Sequence, residues 1–194
     1  MRRTVAALMM ALLLTGCGAS GENADDLALE ARGAYLQMET CAASLAIQVD
    51  YGSRVYDYGM DVTWEREGET TLTLTAPEEV AGVTGHIAAG ETALEFDGMY
   101  VETGPLDDQG LSPMDAFPAL LAALREGYLA QCSLDEVEEA QVLHLTVRDP
   151  EGVPGEGREV QLWLSAGDYT LLRGEISSDG ATVLTCEVSN FSMA

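Results

Sequence analysis

The sequence predicts an α+β domain in which a strongly curved antiparallel β-sheet carries helices on one face. Three observations support this. From Cys41 onward, apolar and polar residues alternate with a period of two in about ten short segments, the pattern of half-buried antiparallel strands. Most of these segments are joined by short turns such as Asp97-Gly98 and Ser178-Asp179-Gly180, which favour hairpins. Only two stretches show helical spacing, one before the strands and one among them. A flat open sheet of so many strands is uncommon, so curvature follows.

Leu27, Ala31, Ala34, Tyr35 and Met38 fall on one face of a helix beginning at Asp25, with Asp25, Asp26 and Glu30 at the positive end of its dipole. Leu45, Ile47, Val49 and Tyr51 then alternate with polar or small residues up to a turn at Tyr51-Gly52-Ser53-Arg54. The next strand places Tyr56, Tyr58, Met60, Val62 and Trp64 on one face and Asp57, Gly59, Asp61 and Thr63 on the other. Leu72 and Leu74 alternate with threonines, and shorter strands follow at 83–88, 93–96 and 99–102. The second helix opens near Ser112-Pro113 and carries Met114, Phe117, Leu120, Leu121, Leu124 and Tyr128 as an apolar stripe ending at Gly127. Pro118 is easier to place if Asp115 is the cap and the proline lies in the first turn. Strands resume at 129–136, 141–148, 160–165, 169–177 and 182–191.

The N-terminus has its own pattern. Arg2 and Arg3 precede an apolar run of ten residues, Val5 to Leu14. Spanning a bilayer needs roughly 20 residues, so the run reads as a secretory signal. It ends in Leu14-Thr15-Gly16-Cys17, which resembles the lipobox of bacterial lipoproteins. That resemblance implies a signal peptide at 1–16 and cleavage before Cys17. Cys17 would carry the acyl chains, and 17–24 would be a lipidated cysteine and tether ahead of one domain at 25–194. The expected location is the extracytoplasmic face of the cell membrane, held by the lipid anchor. Two or three acyl chains anchor stably where one does not.

Composition removes whole classes of function. The chain has 9 basic and 33 acidic residues and a net charge of −24. Such a surface does not bind nucleic acid through phosphates, and it is repelled by anionic headgroups. All nine basic residues are arginine, which excludes Schiff-base catalysis, a P-loop and a Ser-x-x-Lys site. The nucleophile-elbow, zincin and dinucleotide-binding motifs are absent as well. His86 and His144 fall in strands, and a pairing of Cys132 with His144 is conceivable, though a structural histidine is the simpler reading. Asp107-Asp108 and the loop 149–157 hold carboxylates but match no calcium-loop pattern. No metal, cofactor or catalytic residue is expected. With Cys17 lipidated, Cys41, Cys132 and Cys186 remain; at most one intrachain disulfide can form, or all three are buried thiols.

The order helix, long hairpin, "TAPEEVAGVTGHI", "LEFDGMYVETG", mid-chain helix and closing "GEISSDGATVLTCEVSNF" resembles the outer-membrane lipoprotein carrier superfamily, the LolA-like, LolB-like and LppX-like proteins. It is most similar to the LolA-like lipoproteins of Gram-positive spore formers. The resemblance implies an unclosed half-barrel that holds a lipid, an acyl chain or a lipoprotein partner in an apolar groove. Tyr56, Tyr58, Met60, Val62 and Trp64 would line that groove, and Phe117, Leu121 and Leu124 would close it. The same residues also suit a filled sheet–helix core. In that case the domain would be a protein-binding module that docks an envelope, sporulation or germination enzyme.

Overall fold

A computed structural model describes residues 19–88, 91–103, 111–137 and 140–194. Cys17, the signal segment and Asp107-Asp108 lie outside the described residues. The chain runs α1 (Ala19–Gln37), β1 (Thr40–Asp50), β2 (Val55–Glu65), β3 (Thr70–Ala76), β4 (Thr84–Ala88), β5 (Glu91–Phe96), β6 (Met99–Glu102), α2 (Pro113–Glu126), β7 (Tyr128–Val137), β8 (Ala140–Arg148), β9 (Arg158–Ser165), β10 (Leu171–Ser178) and β11 (Ala181–Met193).

Among the described residues, all eleven strands form one antiparallel sheet in the order β6-β5-β4-β3-β2-β1-β11-β10-β9-β8-β7. Two meanders are joined where the last strand returns beside the first. That join is long: Cys41 to Val49 pair with Met193 to Leu184, with a register shift between Ala42 and Ser44. The sheet is curved and stays open, with β6 and β7 as its edges.

Helix α1 begins at Ala19, six residues before the start read from the sequence. Its buried stripe is Ala24, Ala28, Ala31 and Tyr35, spaced four, three and four, and Met38 just past the helix continues it. Leu27 is only half-buried, because the alanines beside it lie closer to the sheet. Small side chains let the helix lie low over β7 and β8, its neighbours in the sheet. Tyr35 donates its hydroxyl proton to the Tyr169 carbonyl at 2.9 Å and so pins the C-terminal end.

Helix α2 starts at Pro113 with Ser112 as N-cap, so Pro118 falls in the second turn and not the first. The helix tolerates it because its neighbours hold it from both sides. Phe117, Leu120 and Leu124 are fully buried, each worth about 1.5–3 kcal/mol of burial. From α1, Arg32 donates to the Leu124 and Gly127 carbonyls at 2.9 and 2.6 Å, satisfying the last turn.

Candidate ligand-binding surface

The β1–β2 register sets the inner face. Val49, Ile47, Leu45, Ala43 and Cys41 stand opposite Tyr56, Tyr58, Met60, Val62 and Trp64. Paired residues share a face, so the five residues read as a groove wall do line one surface. The helix then divides them. Met60, Val62, Phe117, Leu121 and Leu124 are each 3% exposed or less and belong to one continuous core. Of the groove expected from the sequence, this part is filled. Trp64 is half-buried, with the Arg125 guanidinium 4.9 Å from its ring centre. Tyr58 is half-buried and Tyr56 is exposed at the rim, where Tyr51, Tyr56 and Tyr58 follow one another at 6.1 and 6.4 Å. Burial, then the Tyr58 and Tyr56 phenols, raise the Tyr51 hydroxyl above its ordinary pKa, so it stays a neutral donor.

Two glycines show how closely α2 sits. A side-chain carbon at Gly174 on β10 would lie 2.5–3.0 Å from three Leu120 carbons. One at Gly85 on β4 would lie 2.5 Å from the Met114 methyl. Helix atoms occupy the space that a β-carbon would take, leaving no slot for an acyl chain there.

The helix cannot cover everything. Its 14 residues span about 21 Å, whereas eleven strands span about 48 Å. The register carries the inner face outward from Val62 through Leu72, Gly85 and Leu94 to Val101. Phe96 and Met99 lie on the same side, opposite each other. Phe96, Met99 and Val101 are 46%, 65% and 58% exposed. These three residues were missed as site residues in the sequence. The available signal was the mismatch between two helices and so wide a sheet.

Other candidates resolve differently. An open groove of about 730 Å³ runs between the end of α2 and the β8–β9 loop, but its lining includes Glu126, Arg148, Asp149, Glu151, Glu156 and Arg158. Those charges would have to be desolvated under an acyl chain. Cys132 and His144 do not meet. Cys132 pairs with Leu145, and His144 with Ser133, so the pleat turns them to opposite faces. His144 lies flat on Trp163 at 4.5 Å and bonds Gln161 at 3.0 Å, a structural role. Cys41, Cys132 and Cys186 are all free thiols. Burial raises their pKa to about 12, about 11 and about 12 respectively, so none is an activated nucleophile. Among the described residues no cluster of histidine, cysteine and carboxylates could hold a metal ion, and no helix is long and apolar enough to cross a membrane.

No protein-family model matches the chain, and no curated protein does. Solved structures do. The chain is similar to an uncharacterized conserved protein from Thermus thermophilus (11% identity, 89% of this chain and 88% of that one, TM-score 0.54). It is similar to LprF from Mycobacterium bovis (17%, 90% and 95%, 0.52). It is also similar to a protein from Vibrio parahaemolyticus described as an outer membrane lipoprotein-sorting protein domain (13%, 89% and 93%, 0.51). At these identities the likeness shows a shared fold and nothing beyond it.

Proposed function

We propose that this protein is a non-enzymatic lipoprotein, anchored through Cys17 at the extracytoplasmic face of the cell membrane, that binds a lipid, an acyl chain or a lipoprotein partner. The binding surface is the inner face of β4–β6 together with the tyrosine rim, outside the space beneath α2. One observation carries this reading. Phe96, Met99 and Val101 stay about half exposed on the same face whose other half the helices fill. An acyl chain laid there gains about 0.8 kcal/mol for each CH₂ it buries.

Mass spectrometry of lipids extracted from the purified protein tests the ligand. A co-purifying lipid lost in Met99→Glu supports the reading, and its absence from the wild type overturns it. Membrane fractionation tests the anchor. Cys17→Ala should move the protein to the soluble fraction, and a variant that stays membrane-bound refutes lipidation at that residue.

A second reading has its own support. Met60, Val62, Phe117, Leu121 and Leu124 are filled core, as expected of a module that docks an envelope or sporulation enzyme and carries no lipid. Absence of lipid in the first experiment favours it.

A further inference from the structure

The edge strand β6 has a property that lipid binding does not use. The Thr103 N–H donates to the Thr92 carbonyl at 2.9 Å. In an antiparallel ladder the bonded pairs alternate. Val101 and Met99 therefore turn their N–H and C=O groups toward β5, opposite Leu94 and Phe96. Tyr100 and Glu102 turn theirs outward, where, among the described residues, β6 has no further strand beside it.

Exposed edges are usually protected by a proline, a lysine, a bulge or a covering element. The other edge is protected: α1 packs along β7, and β7 has a register shift between Leu129 and Gln131. Met99–Glu102 has no proline and no basic residue, and its pairing with β5 is regular. Among the described residues its one defence is shortness, at four residues.

The two faces of this edge differ in chemistry. Inward lie Phe96, Met99 and Val101. Outward lie Tyr100 and Glu102, with Glu91 and Glu95 on β5. His86, the basic group in this patch, is already held between Glu69 and Glu95. A second copy of the chain would bring the same carboxylates against these, at a net charge of −24 per chain.

We infer that β6 accepts an extended segment of another protein as an added strand, a segment alternating apolar residues with lysine or arginine. The main chain of the segment pairs with Tyr100 and Glu102. Its apolar side chains extend the Phe96–Met99–Val101 surface, and its basic side chains meet Glu95, Glu102 and Glu91. Two outward residues offer few main-chain bonds, so the charges must supply part of the affinity. The inference goes beyond the lipid reading and stands without it.

The test uses the full-length protein and a short fluorescent peptide alternating lysine and valine. A control peptide has the same composition with its lysines in one block. Fluorescence anisotropy should show the alternating peptide binding at least about tenfold more tightly than the block peptide, with affinity falling as salt rises. Amide exchange at Tyr100 and Glu102 should slow on binding. Tyr100→Pro removes an N–H that the sheet does not use and should abolish binding while leaving the urea midpoint unchanged. Glu102→Lys keeps the main chain and should weaken binding. Equal affinity for the two peptides, unprotected Tyr100 and Glu102 amides, or full binding by a folded Tyr100→Pro variant would each overturn the inference. Because these readouts contain no lipid, their failure leaves the lipid-extraction result to be judged separately.

Discussion

The half of the sheet formed by β1 and β7–β11 and the wing formed by β4–β6 are built from the same alternating pattern, yet they end in different states. In the first half, inward residues such as Leu143, Leu145, Leu162, Leu164, Ile176 and Leu184 are fully buried because a helix stands over them. On the wing, Phe96, Met99 and Val101 point the same way and stay exposed. The lesson is that alternation sets which face a side chain joins, while the reach of the helices sets whether that face is core or surface. The boundary falls near Gly85, where the Met114 methyl makes the outer contact of α2 with the sheet.

The largest effect is expected from removing a wedge from the packed half. Phe117→Ala deletes a fully buried ring and should cost about 3–5 kcal/mol in urea unfolding. A loss below about 1 kcal/mol would mean that the space under α2 is not filled.

The next largest effect separates two glycines. Gly174→Ala drives a methyl into three Leu120 carbons that have nowhere to go and should cost about 1–3 kcal/mol. Gly85→Ala meets only the end of the flexible Met114 side chain, so it should cost about half as much or less. Equal costs would remove the boundary drawn at Gly85.

The buried thiols give a pH test of the packed half. Desolvation lifts Cys41 and Cys186 from 9.0 to about 12. A raised folded-state pKa means that the unfolded chain releases its proton first. Their contribution is fully present below about pH 9 and is lost as the pH climbs toward 12. Urea midpoints should fall across that window, and less so in Cys186→Ala. Both thiols should resist alkylation in the native protein at neutral pH.

The smallest effect belongs to the wing. Met99→Ala should change stability by less than about 0.5 kcal/mol, because Met99 is 65% exposed. Amides of β5 and β6 should exchange well before those of β11.

Much of the architecture was legible in the residues. The strand 99–102 matches its observed bounds, and the face shared by Tyr56, Tyr58, Met60, Val62 and Trp64 is set by the two-residue period alone. The start of α1 was not legible, because its first turns carry alanine, glycine and asparagine with no apolar stripe. Pro118 misled the reading of α2, since local propensity places proline in a first turn while packing of Phe117 and Leu120 holds the helix through it. The division of the expected site was hidden for a longer-range reason. Whether Met60 or Met99 is covered depends on where α2, which begins well after both in the chain, comes to rest. The glycines that receive that helix, Gly85 and Gly174, carry no pattern of their own.

The most direct measurement is photo-crosslinking with a fatty acid that carries a light-activated group along its chain, followed by peptide mapping of the modified residues. Adducts are expected on Phe96, Met99 and Val101 and at the rim tyrosines Tyr51 and Tyr56, with none on the α2 stripe. Adducts concentrated on Phe117, Leu121 and Leu124 would place the ligand between helix and sheet and would contradict the division of the inner face into a filled half and an open wing.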